Sequence, residues 1–167
     1  FDGFGLARAE VQVVAQADTI VLTIPYTGLE PTMENLRGRI RPGTLIISPI
    51  VPIEFTEKEI RLTHIEGGSA AEKVAQGFPE ARVVGAFHTV SSKLLANYRK
   101  PVEGDVLVCG NDRGAKRAVR GLVEQIPNLE AVDAGELKNS HIVEEFTVLL
   151  IKTGQINKRG NLGIKLV

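Results

Sequence analysis

Tryptophan is absent, aromatic residues make up only 5% of the chain, and Cys109 is the single cysteine. One cysteine excludes an internal disulfide and makes a reducing cytoplasm the default compartment. A core this poor in rings must be built from Val, Ile, Leu and Ala, as parallel α/β sheets are. A charge excess is missing too. The 20 Lys and Arg balance the 20 Asp and Glu, so no global field draws the chain to nucleic acid or an anionic membrane. No apolar run reaches the length of a membrane span, and no secretory leader is read at the start. His64, His88 and His141 are scattered, with no Cys or carboxylate at ligand spacing, so no metal site is expected.

A phosphate-binding glycine loop is missing as well. Residues 17–25, Ala-Asp-Thr-Ile-Val-Leu-Thr-Ile-Pro, read as a buried strand that ends in a nucleotide-fold loop. No strand and glycine loop precede it. Gly3-Phe4-Gly5 begins as G-x-G, but Arg8 stands where the third small residue belongs. Without a leading strand, no backbone N–H groups and helix N-terminus are brought to a pyrophosphate. Gly3 and Gly5 are therefore read as ordinary loop residues.

What is present alternates between apolar runs and amphipathic stretches. Strands are expected at 19–24, 44–48, 82–87, 105–109 and 129–133, with a strand-like tail at 162–167. Helices are expected at 6–16, 29–36, 69–77, 91–98, 112–126 and 137–157, with Ser69 capping the third and Asn111 or Asp112 the fifth. Residues 51–66 show little regular pattern and read as a mobile excursion over the site. The expectation is an α/β fold: one Rossmann-like domain over 1–167, with a parallel sheet and flanking helices. Its first βαβ unit is missing, a C-terminal helix and strand are added, and the whole reads as the C-terminal portion of a longer chain.

In open α/β sheets, ligands sit beyond the carboxyl ends of the strands. Those ends read Thr23-Ile24-Pro25-Tyr26, Ser48-Pro49-Ile50-Val51-Pro52-Ile53 and Ala86-Phe87-His88-Thr89-Val90. Prolines and small polar residues there make a flat, weakly charged floor. Such a floor suits a nicotinamide or flavin-like ring, whose hydride chemistry needs stacking and dryness. On these residues alone His88 also reads as a satisfied histidine at a strand end. Cys109 ends a strand without a partner histidine and reads as an inert buried thiol. Arg113, Lys116, Arg117 and Arg120 share one helix face, read as solvated because no aromatics are interleaved for base stacking. His141 is read as helix surface or a dimer contact. Glu144 and Glu145 are adjacent, point about 100° apart on a helix, and make no simple carboxylate pair.

Several runs, in order from about residue 18 to the end, resemble the F420-dependent NADP reductases. They are Leu22-Thr23-Ile24-Pro25, Ile47-Ser48-Pro49-Ile50-Val51-Pro52, Gly68-Ser69-Ala70-Ala71-Glu72 and Ala86-Phe87-His88-Thr89. Asp105-Val106-Leu107-Val108-Cys109-Gly110-Asn111-Asp112, with Val132-Asp133-Ala134-Gly135 after it, and Gly160-Asn161-Leu162-Gly163-Ile164-Lys165 continue the match. The resemblance implies hydride exchange between NADP(H) and the 8-hydroxy-5-deazaflavin coenzyme F420. It places the nicotinamide against Thr23, Ile24, Pro25, Tyr26, Ser48 and Pro49, near His88. It places the deazaflavin against Ile53, His88, Val90, Thr147 and Leu162, with Thr89 as a further cofactor-binding residue and His88 and Thr147 as the catalytic candidates. Glu145 stands where the family often has a small residue, which bears on the charge of that pocket.

Two function classes follow. One is an oxidoreductase transferring a hydride directly between the two cofactors. The other is a non-enzymatic Rossmann-like binding or assembly module without its nucleotide half. A reductase acting on a small imine or ketone is a weaker third, because the paired acid groups such a product needs are lacking. The stretch 142–151 is apolar almost all round a helix, more than one small sheet covers. A homodimer through the helix at 138–157 is therefore expected, with two small-molecule cofactors as substrates and neither nucleic acid nor membrane as partner.

Overall fold

A computed structural model describes residues 13–55, 60–66, 68–96 and 101–167. Residues 13–16 are helical, while the rest of the helix expected at 6–16 and the Gly3/Gly5 turn lie outside the described residues.

Five strands form one sheet in the order β1-β2-β5-β6-β7. They are β1 (Thr19–Val21), β2 (Leu45–Ser48), β5 (Arg82–Gly85), β6 (Gly104–Gly110) and β7 (Leu129–Asp133). Side chains alternate across a strand, so each strand feeds both faces. In β2, Ile46 packs on one face with Leu29, Met33, Leu36, Ala70 and Val74. Leu45 and Ile47 pack on the other with Val84, Val106, Ala115, Val119 and Val123. Helices α1 (Leu29–Leu36) and α2 (Ala70–Gly77) cover the first face. A short helix α3 (Ser92–Leu95) follows β5, and α4 (Arg113–Val123) covers the second face. The 17-residue α5 (Ser140–Ile156) follows a 3₁₀ turn at Leu137–Asn139. The result is the Rossmann-like three-layer arrangement, with each buried Ile or Val contributing ~1.5–3 kcal/mol.

The helices form where their buried residues fall on one stripe. In α1 these are Leu29, Thr32, Met33 and Leu36. In α4 they are Ala115, Val119 and Val123. Ser69 caps α2, its hydroxyl accepting from the Glu72 N–H at 3.1 Å. Asp112 rather than Asn111 caps α4. Asn111 instead accepts from the Leu137 N–H at 3.0 Å.

Three expectations are corrected. The sheet is not wholly parallel: β1, β2 and β5 are parallel to one another, but β6 runs antiparallel to β5 and carries β7 with it. A parallel partner needs a long crossover across the sheet face. Among the described residues the connection over 86–103 holds only the four-residue α3 and no longer helix that covers the sheet face as a crossover would. The segment 51–66 is not patternless. It holds an antiparallel hairpin, β3 (Ile53–Phe55) and β4 (Ile60–Leu62), in which Glu54 faces Arg61 in register. The tail 162–167 forms no strand. It is strapped to β6 by a few bonds, the Asp105 N–H donating to the Ile164 carbonyl at 2.8 Å. Residues 97 and 98 of the helix expected at 91–98 lie outside the described residues.

Candidate active site

Three parallel strands end on one side of the sheet, and their pairing continues one residue beyond each ladder. The Leu22 N–H donates to the Ile47 carbonyl at 3.0 Å, and the Ala86 N–H donates to the Ser48 carbonyl at 3.2 Å. Thr23, Ser48 with Pro49, and His88 therefore leave the sheet at the same end. Phe87 turns the chain out of β5 with φ of 69°, a left-handed conformation that is costly for a bulky residue. His88 then folds back under the sheet end and is 6% exposed.

The floor that results is buried and polar. Ser48 is fully buried, and its hydroxyl meets no hydrogen-bonding partner. Among the described residues neither ring nitrogen of His88 has one, and the Ser140 hydroxyl at the start of α5 faces the Cys109 thiol. Gly85 makes room for this cluster. A Cβ there would lie 2.4 Å from Ser140 Oγ and 3.2 Å from His88 Cε1. Burial pushes the His88 imidazole down to about 4, so the ring is neutral at neutral pH. Unpartnered buried polar groups are costly, and two adjacent strand ends concentrate them here.

Glu144 was not singled out as a site residue by the sequence. It projects from α5 toward the same place and is 2% exposed. Its carboxylate accepts from the Ala70 N–H at 3.0 Å and the Ala71 N–H at 3.3 Å, in the first turn of α2. Its Oε1 lies 4.0 Å from His88 Nε2. Burial raises the Glu144 carboxyl to about 7, against the two backbone donors that favour the anion. Glu145, the residue expected to bear on the pocket's charge, is exposed to solvent instead. The one signal that separates the two glutamates is helical phase: Glu144 shares the buried stripe of Ser140, Val143, Thr147 and Val148.

The remaining expected residues divide. Thr23 and Pro25 are exposed, while Ile24, Tyr26 and Pro49 are half-buried beside the floor. Thr147 is buried on α5, and its hydroxyl donates to the Val143 carbonyl at 2.8 Å, leaving it free only to accept. Ile53 opens β3 in the separate hairpin. Thr89, Val90 and Leu162 are gathered elsewhere, around a cavity of about 30 Å³ between the start of β6 and the C-terminal tail. There the Thr89 hydroxyl donates to the Asp105 carbonyl at 3.5 Å. A larger cavity of about 210 Å³ adjoins Tyr26 and is lined also by His64, Ile65, Ser69 and Lys73. Lys73 is held there by Glu30 at 2.8 Å and stands 5.8 Å over the Tyr26 ring. Cys109 is buried, and burial raises its thiol, which keeps it neutral. His141 is exposed on α5. Among the described residues no group of His, Cys, Asp and Glu gathers at metal-binding distance. Nor is any described helix long and apolar enough to cross a membrane.

The fold and the polar strand-end crevice define a Rossmann-like domain. A solved structure from Arthrobacter sp. FB24, described as a candidate F420-dependent NADP reductase, superposes with a TM-score of 0.79 at 22% identity, over 94% of this chain and 73% of that one. No family model matches the chain. The F420-dependent NADP reductase of Methanocaldococcus jannaschii is 35% identical over 153 residues, covering 90% of this chain and 68% of that protein. The enzyme of the same name from Methanothermobacter thermautotrophicus is 34% identical over 156 residues, covering 91% and 67%. The chain belongs to the F420-dependent NADP reductase family of oxidoreductases.

Proposed function

We propose that this chain carries the hydride-transfer end of a reductase acting between NADP(H) and the deazaflavin coenzyme F420, both as substrates. In this reading residues 1–167 form one Rossmann-like domain of a longer cytoplasmic enzyme. The observation that carries it is the neutral, unpartnered His88 beside the unpartnered Ser48, at the ends of two adjacent parallel strands. Two rings stacked there would need positioning and dryness rather than a strong acid or base. Pro25, Tyr26 and Pro49 supply a flat wall for the nicotinamide. His88 and Thr147 supply the deazaflavin side, while Val90 and Leu162 line the separate small cavity at the start of β6. His88 and Thr147 orient a polar edge of the deazaflavin by hydrogen bonds, Thr147 as an acceptor.

The test is stopped-flow absorbance of F420 reduction by NADPH in the native gene product and in His88→Ala. Loss of an orienting contact slows transfer roughly tenfold to a hundredfold without abolishing it. Complete loss of turnover with cofactor binding intact would give His88 an essential chemical role instead. No F420 reduction by the native protein would remove the proposal.

The same reading includes a homodimer through α5. Ile142, Leu149 and Ile156 are 57%, 57% and 81% exposed and lie two helical turns apart, a stripe left uncovered among the described residues.

A further inference from the structure

We propose that Glu144 is a positioning residue that fixes the tautomer of His88: when its carboxylate is ionised, the ring proton sits on Nε2 facing Oε1, and Nδ1 is left as an acceptor. The proposal concerns the protein alone; only its kinetic consequence rests on the hydride-transfer reading above.

Three observations carry it. First, among the described residues neither ring nitrogen of His88 has a hydrogen-bonding partner, so no hydrogen bond there decides where the proton lies. Second, the carboxylate is fixed. Ala70 and Ala71 donate to its two oxygens from the first turn of α2, where the helix dipole favours an anion. Oε1 is thereby held 4.0 Å from Nε2. In a site where both groups are nearly inaccessible, a fixed anion at that distance strongly favours an N–H over a lone pair. Third, the ring stays neutral across the neutral range while Glu144 titrates near 7, so the tautomer and not the ring's charge responds to pH.

The surrounding charges leave that control to Glu144. Glu72 on α2 and Glu145 on α5 both hold its carboxyl up. Cys109 on β6 is a neutral buried thiol. Arg61 on β4 is exposed, and Lys138 of the 3₁₀ turn is exposed and paired with Glu136 at 2.8 Å. His88 Nε2 stands 4.0 Å from the Glu144 carboxylate. Protonating Glu144 removes the anion and offers Nε2 an O–H, which favours the opposite tautomer with the proton on Nδ1. A carboxylate that orients a functional imidazole in this way decides whether the other nitrogen donates or accepts.

The experiment is ¹⁵N NMR of histidine-labelled protein, without cofactors, from pH 5.5 to 8.5, with His88 assigned through His88→Gln. The expected result is a tautomer inversion centred near 7, from Nδ1–H in acid to Nε2–H in base, with no imidazolium signature in that range. The inversion is lost in Glu144→Gln and retained, with a shifted midpoint, in Glu144→Asp. A wild-type ring whose tautomer does not change with pH overturns the proposal even if no variant folds. An inversion that survives in Glu144→Gln also overturns it. In turnover, Glu144→Gln removes the inflection near 7 from kcat/KM for F420 and leaves KM for NADPH within about twofold, a split that general loosening of the fold would not produce. An intact tautomer inversion in a protein that reduces no F420 supports the Glu144 assignment and contradicts the hydride-transfer reading.

Discussion

His88 and Glu144 oppose each other as titrating groups. The Glu144 carboxyl is raised from its ordinary 4.5 to about 7. The folded state therefore holds a proton that the unfolded chain has released, and this contribution to stability is lost as pH rises from 4.5 through 7. The His88 imidazole is lowered from 6.5 to about 4. The unfolded chain binds its proton first, so that contribution is lost as pH falls from 6.5 through 4. Each slope is ~1.4 kcal/mol per pH unit, and the two cancel across the overlap. Denaturant midpoints taken between pH 4.5 and 6.5 should show little net dependence on this pair in the wild type. Glu144→Gln should expose the His88 slope, with stability rising with pH over that window. A Glu144→Gln profile that instead falls with pH would contradict these assignments. Glu144 was hard to read from sequence, because two adjacent glutamates differ only in helical phase and the register of α5 sets which one is buried.

The elements were legible where periodicity was strong and the connection ordinary. The helix over 29–36 and the strand Leu45–Ser48 appear close to the expected bounds, because their apolar spacing admits one burial pattern. The hairpin was missed although Ile53-Glu54-Phe55 and Ile60-Arg61-Leu62 each alternate, since three residues are too few to stand out. The reversal at β6 was not legible, because an apolar strand reads the same in either direction. That reversal brings the start of β6 beside the loop after β5, which gives the C-terminal tail its anchor. Asp105 accepts from the Leu166 N–H and pairs with Lys165 at 3.2 Å. The backbone donor from Leu166, with Lys165 behind it, holds the Asp105 carboxyl below the ordinary carboxylate range. Asp105→Ala should release the tail: amide exchange at Leu166 should accelerate toward the unprotected rate, with a stability cost of ~1–3 kcal/mol. Acid should do the same in the wild type, as pH falls through the carboxylate range and the tie is protonated. Unchanged exchange in the variant would show that the tail is held by its other contacts, such as Ser91 to Asn161 at 2.7 Å.

At the scale of the whole molecule, two places among the described residues carry the account. One is the stripe on α5, where Leu149→Glu should convert a dimer to a monomer by light scattering at unchanged far-UV signal. A wild-type mass of one chain at high concentration would contradict the dimer. The other is the buried strand-end floor, where His88 and Ser140 close on Gly85, the register partner of Ser48, and Glu144 lies 4.0 Å from His88. The sequence resemblance pointed to its histidine and serine, while the carboxylate beneath them emerged only from the packing of α5 on α2. That crevice is read as the place where two cofactor rings meet without a protein carrier between them. The most direct test is isotope transfer from NADPH dideuterated at C4, in ordinary water, with mass analysis of the reduced F420. Direct transfer predicts one deuterium carried into the deazaflavin product. Reduced F420 containing only solvent hydrogen would contradict it.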